Sequence, residues 1–209
     1  MDLVNSGYRF FYAGPENTTA PSGRGFFVSS RFAPYVGASE RENDRISRLD
    51  LWMGEHIIRC FSIYAPPSSC FGAEDEEQYS KFLEELCTLL QQSNPHKICL
   101  NRRKQWCNGA GVSKGHILLL GDFNAKLGKK ENEAEICIGQ YGYGDVRNAR
   151  GRLLIEFCEQ LHLRASATFF KTRSGRKWTW KSPDGITRNC IDHIFACPHL
   201  RFSNVRKGH

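Results

Sequence analysis

The feature that most constrains this chain is a short apolar run, Ile117–Leu120, that ends abruptly in Gly121-Asp122-Phe123-Asn124. Four consecutive apolar residues bounded by a glycine turn read as a strand buried on both faces. Such a strand needs neighbours on either side, so the chain must build a sheet inside a covered core. Its end is also where a carboxylate can be held rigidly and still reach solvent. Asp122 and Asn124, two residues apart, are expected on one side of the backbone at the sheet's rim. There they could orient a water and bond a phosphoryl oxygen, or they could simply shape a turn.

The flanking segments supply the partners. Tyr8–Ala13 and Gly25–Ser30 are β-rich and separated by a turn-rich stretch. Ile46–Met53, with partial alternation, and Glu55–Ala65 form two further strands turning at Gly54, the second stopped by Pro66-Pro67. In 75–92 the apolar positions Tyr79, Phe82, Leu83, Leu86, Leu89 and Leu90 follow the helical period, with Asp75 and Gln78 spaced as a capping box. A second helix is expected over Arg150–Leu161. Strand-like runs follow at 167–170, 177–180 and 189–196, the last two joined as a hairpin through Ser182-Pro183-Asp184-Gly185. Residues 93–115 have no sustained period and read as an insertion in a single domain spanning 1–209. The class is α/β or α+β with one core.

Charge narrows the partners. Arg164–His209 holds ten Lys and Arg against two Asp, a local +8 in a chain of net charge +7. A basic third on a near-neutral body suits a polyanion, or is a solvated surface. The start of the chain has no signal-peptide pattern and no apolar run reaches membrane-spanning length. Nine cysteines without CxxC spacing fit reduced thiols, hence an intracellular, nuclear or cytoplasmic protein. Cys190, His193, Cys197 and His199 have a zinc-like look, but their spacing and the strand character of Ile191, Ile194 and Phe195 favour ordinary packing.

Tyr64-Ala65-Pro66 ending one strand, GDFN ending the next and Asp192 within NCIDHIF occur in that order. Together with GDFNAKLG, GRLLIEFCEQLHL, Thr168-Phe169-Phe170 and KWTWKSPDG…IDHI, they resemble the endonuclease/exonuclease/phosphatase superfamily. The look is closest to endonuclease domains of non-LTR (LINE-type) retrotransposons and their domesticated relatives. The resemblance implies a DNase I-like fold, a four-layer sandwich of two mixed sheets flanked by helices, here truncated at both ends. It implies Mg²⁺- or Mn²⁺-dependent hydrolysis of a phosphodiester, with the DNA backbone as partner and no membrane or protein partner.

By the same resemblance Asp122 orients or deprotonates the attacking water, Asn124 contacts the phosphate and its developing charge, and Tyr64 contacts the scissile phosphate. Asp192 orients a catalytic histidine, and Arg45 is a basic substrate contact. The family's metal-ligating Glu is expected upstream of Met1 and its catalytic His beyond His209. Glu16, His193 and His209 do not replace them, so no metal ligand is assigned and impaired hydrolysis is expected. The alternatives are a non-catalytic nucleic-acid-binding remnant, with Trp178 and Trp180 as stacking groups unless they pack in the core, or a transposon-derived fragment.

Overall fold

The computed structural model describes residues 2–3, 7–12, 25–54, 56–68, 72–92, 99–100, 106–107, 114–144, 146–173, 175 and 177–205. In chain order the strands and helices are β1 (Asp2–Leu3), β2 (Tyr8–Tyr12), β3 (Gly25–Ser29), β4 (Val36–Arg41), β5 (Ile46–Met53), β6 (His56–Tyr64), α1 (Ala73–Gln92), β7 (Cys99–Leu100), β8 (Trp106–Cys107), β9 (Lys114–Asp122), α2 (Ala149–Gln160), β10 (Arg164–Ala165), β11 (Trp180–Lys181), β12 (Arg188–Asn189) and β13 (Asp192–Ala196). The chain divides into two units, 1–63 with 86–118, and 64–85 with 119–209.

In the first unit β2 pairs antiparallel with β1 and β3, and a separate ladder runs in the order β9-β6-β5-β4. The β5–β6 hairpin turns at Gly54, whose φ of 63° is cheap only for glycine, as its position predicts. The core holds Ile46, Leu49, Ile57, Phe61 and Ile63. Alternation in β5 is only partial because Ser47 and Asp50 are buried too. Burial pushes the Asp50 carboxyl up, opposed by the Arg59 and Arg48 guanidinium groups at 3.6 and 3.5 Å. Arg48 is further tied to Glu40 and Glu42.

Two parts of the expected insertion have structure: β7 and β8 form a two-residue antiparallel ladder, and Lys114 opens β9. Most of the rest of 93–115 lies outside the described residues, as do Glu16 and His209.

The second unit has the strand order β10-β13-β9, with α2 and the first part of α1. Its core includes Tyr79, Leu119, Phe123, Leu154, Cys158 and Phe195, all almost fully buried. Helix α2 begins one residue before the expected start because Asn148 caps it, its side chain accepting from Gly151 N and Lys126 N at 2.9 Å each. Helix α1 corrects the expected capping box. It starts at Ala73, which places Asp75 inside the first turn, and the Asp75 carboxylate accepts from Arg150 and Ser68 instead.

The expected strand at 167–170 is a 3-10 turn, Ser166–Phe169. Thr168 Oγ1 donates to Ala165 O at 2.6 Å, a local bond that competes with a ladder, and accepts from the distant Gly139 N at 2.7 Å. The hairpin is present, pairing Trp180 with Asn189 and Lys181 with Arg188. However, only Trp180 of 177–180 is in a strand, and 189–196 is broken between β12 and β13.

Two carboxylates are held in their charged form by arginines. Arg150 holds Asp75 below the usual carboxylate range, and Arg147, which also bonds the Leu127 and Lys129 carbonyls, does the same for Glu135. A depressed folded-state pKa contributes stability that is complete above the unfolded value and lost as pH falls through the folded one. The contribution of these two pairs to the urea midpoint is therefore expected to hold steady from neutral pH to about 5 and to fall away below about 4.5. Glu135→Gln should flatten the drop, and an equally steep one in the variant would rule Glu135 out as a contributor.

Candidate active site

The second unit brings Tyr64, Asp122, Asn124 and Asp192 to one locality. Ala65 N donates to Asp122 O at 2.8 Å, so the residue after Tyr64 is fastened to the residue ending β9. Phe123 N donates to Ile191 O at 2.9 Å, bringing the start of β13 to the same turn. Asp122 and Asn124 meet through a turn rather than through strand alternation, which corrects the sequence expectation. Asn124 N donates to Asp122 Oδ1 at 2.8 Å, and Asn124 adopts φ 47°, a left-handed conformation that asparagine tolerates better than most residues. Its Nδ2 donates to Ala65 O at 2.9 Å, and the amide carries a second hydrogen for another acceptor.

Burial raises the pKa of the half-buried Asp122 carboxyl. The Asn124 N–H opposes the rise, and the like charge of Asp192 adds to it. Asp192 is half-buried at the head of β13, while His193 beside it is buried, its Nε2 at 2.9 Å from Ala125 O. The two side chains thus lie in different environments, as strand alternation requires. Thr179 Oγ1 accepts from both Ile191 N and Asp192 N, at 3.0 and 3.1 Å, and so sets the backbone that carries Asp192. Tyr64 is exposed at the end of β6. Arg45 belongs to the first unit, in the turn before β5, where its N–H donates to Asn43 Oδ1.

Sequence reasoning missed a buried frame behind these residues. Arg150, only 2% exposed, donates from Nε and Nη2 to the two Asp75 oxygens at 2.7 and 2.6 Å. Its Nη1 donates to Pro66 O at 2.5 Å, and its guanidinium lies 4.9 Å over the Tyr79 ring. Tyr79 in turn donates its hydroxyl to Phe123 O at 2.8 Å. One arginine and one tyrosine thus pin the backbone just after Tyr64-Ala65 and between Asp122 and Asn124. A signal was present: an arginine in the first turn of a helix opposes the helix dipole and so asks for a carboxylate partner.

The family model described as the endonuclease/exonuclease/phosphatase family matches residues 5–209. The chain belongs to that family. Craniofacial development protein 2 of Bos taurus is 28% identical over 203 residues, 97% of this chain and 30% of that protein. The same protein of Tragulus javanicus is also 28% identical, again over 97% of this chain, and 31% of its own length is matched. The chain therefore spans about a third of these curated relatives.

Among solved structures, the endonuclease domain of TRAS1, a telomere-specific non-LTR retrotransposon, superposes with a TM-score of 0.54 at 13% identity, covering 92% of this chain and 68% of that one. A 3′ phosphatase from Neisseria bound to a product DNA hairpin gives 0.54 at 14% identity with the same coverages. These likenesses establish a DNase I-like, mixed α/β fold.

Family membership makes phosphodiester hydrolysis the general chemistry, and the family generally depends on a divalent metal. Two neighbouring carboxylates, one raised by burial and by the other's charge, are hard oxygen donors of the kind Mg²⁺ takes. The fit is partial, since no group of three His, Cys, Asp or Glu suited to a metal occurs among the described residues. No helix among them is long and apolar enough to cross a membrane.

Proposed function

We propose that this site acts on the phosphodiester backbone of DNA, as a retrotransposon-type endonuclease centre whose hydrolysis by these 209 residues alone is slow. The observation that carries this reading is the Asp122–Asn124 turn, fastened to Ala65 and facing the charge of Asp192. Asp122 orients or deprotonates the attacking water, and the raised pKa brings a carboxylate closer to the range useful for a general base. The free hydrogen of Asn124 Nδ2 and the Tyr64 hydroxyl contact the phosphate, where preorganised donors stabilise charge developing in the transition state. Asp192 accepts from and orients an imidazole. Slow turnover follows from the donor set: no group of three His, Cys, Asp or Glu suited to a divalent ion occurs among the described residues, fewer ligands than efficient metal-assisted hydrolysis uses.

The basic hairpin supports DNA as the partner and also supports the alternative of binding without cleavage. Arg188 lies 5.3 Å over the Trp178 ring, and Trp180 is 40% exposed, too open for core packing. Exposed aromatic and cationic groups together suit bases and phosphates. Binding of a DNA duplex should weaken as salt rises, and Lys181→Ala and Arg188→Ala should each reduce the log–log slope by about 1. A slope near zero, or one unchanged by both variants, counts against the nucleic-acid reading. The Neisseria relative holds its DNA as product, in keeping with this choice of substrate.

A further inference from the structure

We propose that His56 and His116 form a two-imidazole site for a tetragonal transition-metal ion, Cu²⁺ or Ni²⁺, separate from the phosphodiesterase centre. His56 opens β6 and His116 lies in β9, neighbouring strands of the first unit, and both residues reach solvent. His56 Nδ1 and His116 Nε2 stand 2.9 Å apart. One ring therefore donates a hydrogen bond to the other in the metal-free protein, and binding an ion moves that hydrogen to the donor ring's other nitrogen, so that each facing nitrogen presents a lone pair.

The spacing suits such an ion. With metal–nitrogen bonds of about 2.0–2.1 Å, two nitrogens 2.9 Å apart subtend about 90° at the ion. That is the angle between adjacent ligands in a square-planar or tetragonal complex, the preference of Cu²⁺ and Ni²⁺. The ring centroids are 5.1 Å apart and the planes 24° from parallel, so the nitrogens face each other. Rotation about χ2, a broad torsion for histidine, turns both lone pairs onto a common ion. The strands hold the two backbones in place, which makes the second bond to the ion intramolecular and enhances affinity over a single imidazole. Water completes the coordination.

The test is calorimetric titration of the tag-free chain with Ni²⁺. One ion per chain is expected, with affinity falling about tenfold or more in both His56→Asn and His116→Asn. His199→Asn, at an exposed histidine elsewhere, should leave it unchanged. With Cu²⁺, the electron paramagnetic resonance spectrum should be axial with coupling to two nitrogens, and either variant should lose one of them. Circular dichroism checks that the variants fold, with the glutamine variants as a second pair. Binding unchanged in both variants, or weakened in only one, overturns the site.

Discussion

Arg150→Ala is expected to lower stability by about 3–5 kcal/mol, the combined cost of removing a buried guanidinium's hydrogen bonds and packing and of breaking a partly buried ion pair. The reason is specific to what it touches. The side chain is 2% exposed and grips both Asp75 oxygens, so truncation leaves a carboxylate without its counter-charge. It also removes the donor to Pro66 O and the cation over the Tyr79 ring. For a chain of 209 residues this corresponds to a fall in Tm of about 6–20 °C. Arg150→Met combined with Asp75→Leu should recover part of the loss, because replacing a whole buried pair by apolar groups is often neutral. A single variant that melts within a degree of the wild type would show that the frame contributes nothing.

Phe123→Ala should be comparably severe, about 3–5 kcal/mol, through lost burial and the cavity left behind. Phe123 is fully buried and packs edge-on against Phe195, with ring centroids 5.0 Å apart. It also separates Asp122 from Asn124, and its backbone is held from both sides, by Ile191 O and by the Tyr79 hydroxyl. Collapse around the cavity would therefore disturb the turn that presents both polar side chains. Denaturant unfolding measures the loss, and Phe123→Leu should show roughly half of it or less. Equal stability of the alanine variant and the wild type would mean that the packing here is not what holds the turn.

What could be read in advance follows from the range of the interactions. Strands such as Ile46–Met53 and the helices at 73–92 and 149–160 are written in local periodicity, and their observed bounds lie close to the expected ones. Asp122 and Asn124 could equally have shaped a turn at the end of a buried run, and only the order of Tyr64, GDFN and Asp192 along the chain pointed to a site. Asp75 was misread because its partner lies 75 residues away, and a local pattern, the capping box, offered a nearer explanation. Tyr79 looked like one more member of an apolar stripe, although a buried tyrosine hydroxyl usually requires an acceptor. Residues 167–170 have high strand propensity, yet the Thr168 hydroxyl bonds to nearby backbone and closes a turn. Tertiary partners decided the cases of Asp75 and Tyr79, and those partners lie 75 and 44 residues away.

The most direct test of the proposed phosphodiesterase centre is prolonged Mg²⁺-dependent nicking of supercoiled plasmid by the purified chain beside its Asp122→Ala variant. Slow nicking is expected from the wild type, with a rate lower by about 10²–10⁴ in the variant, whose DNA binding is retained. Indistinguishable wild-type and variant lanes, whether because both nick or because neither does, would contradict the proposal.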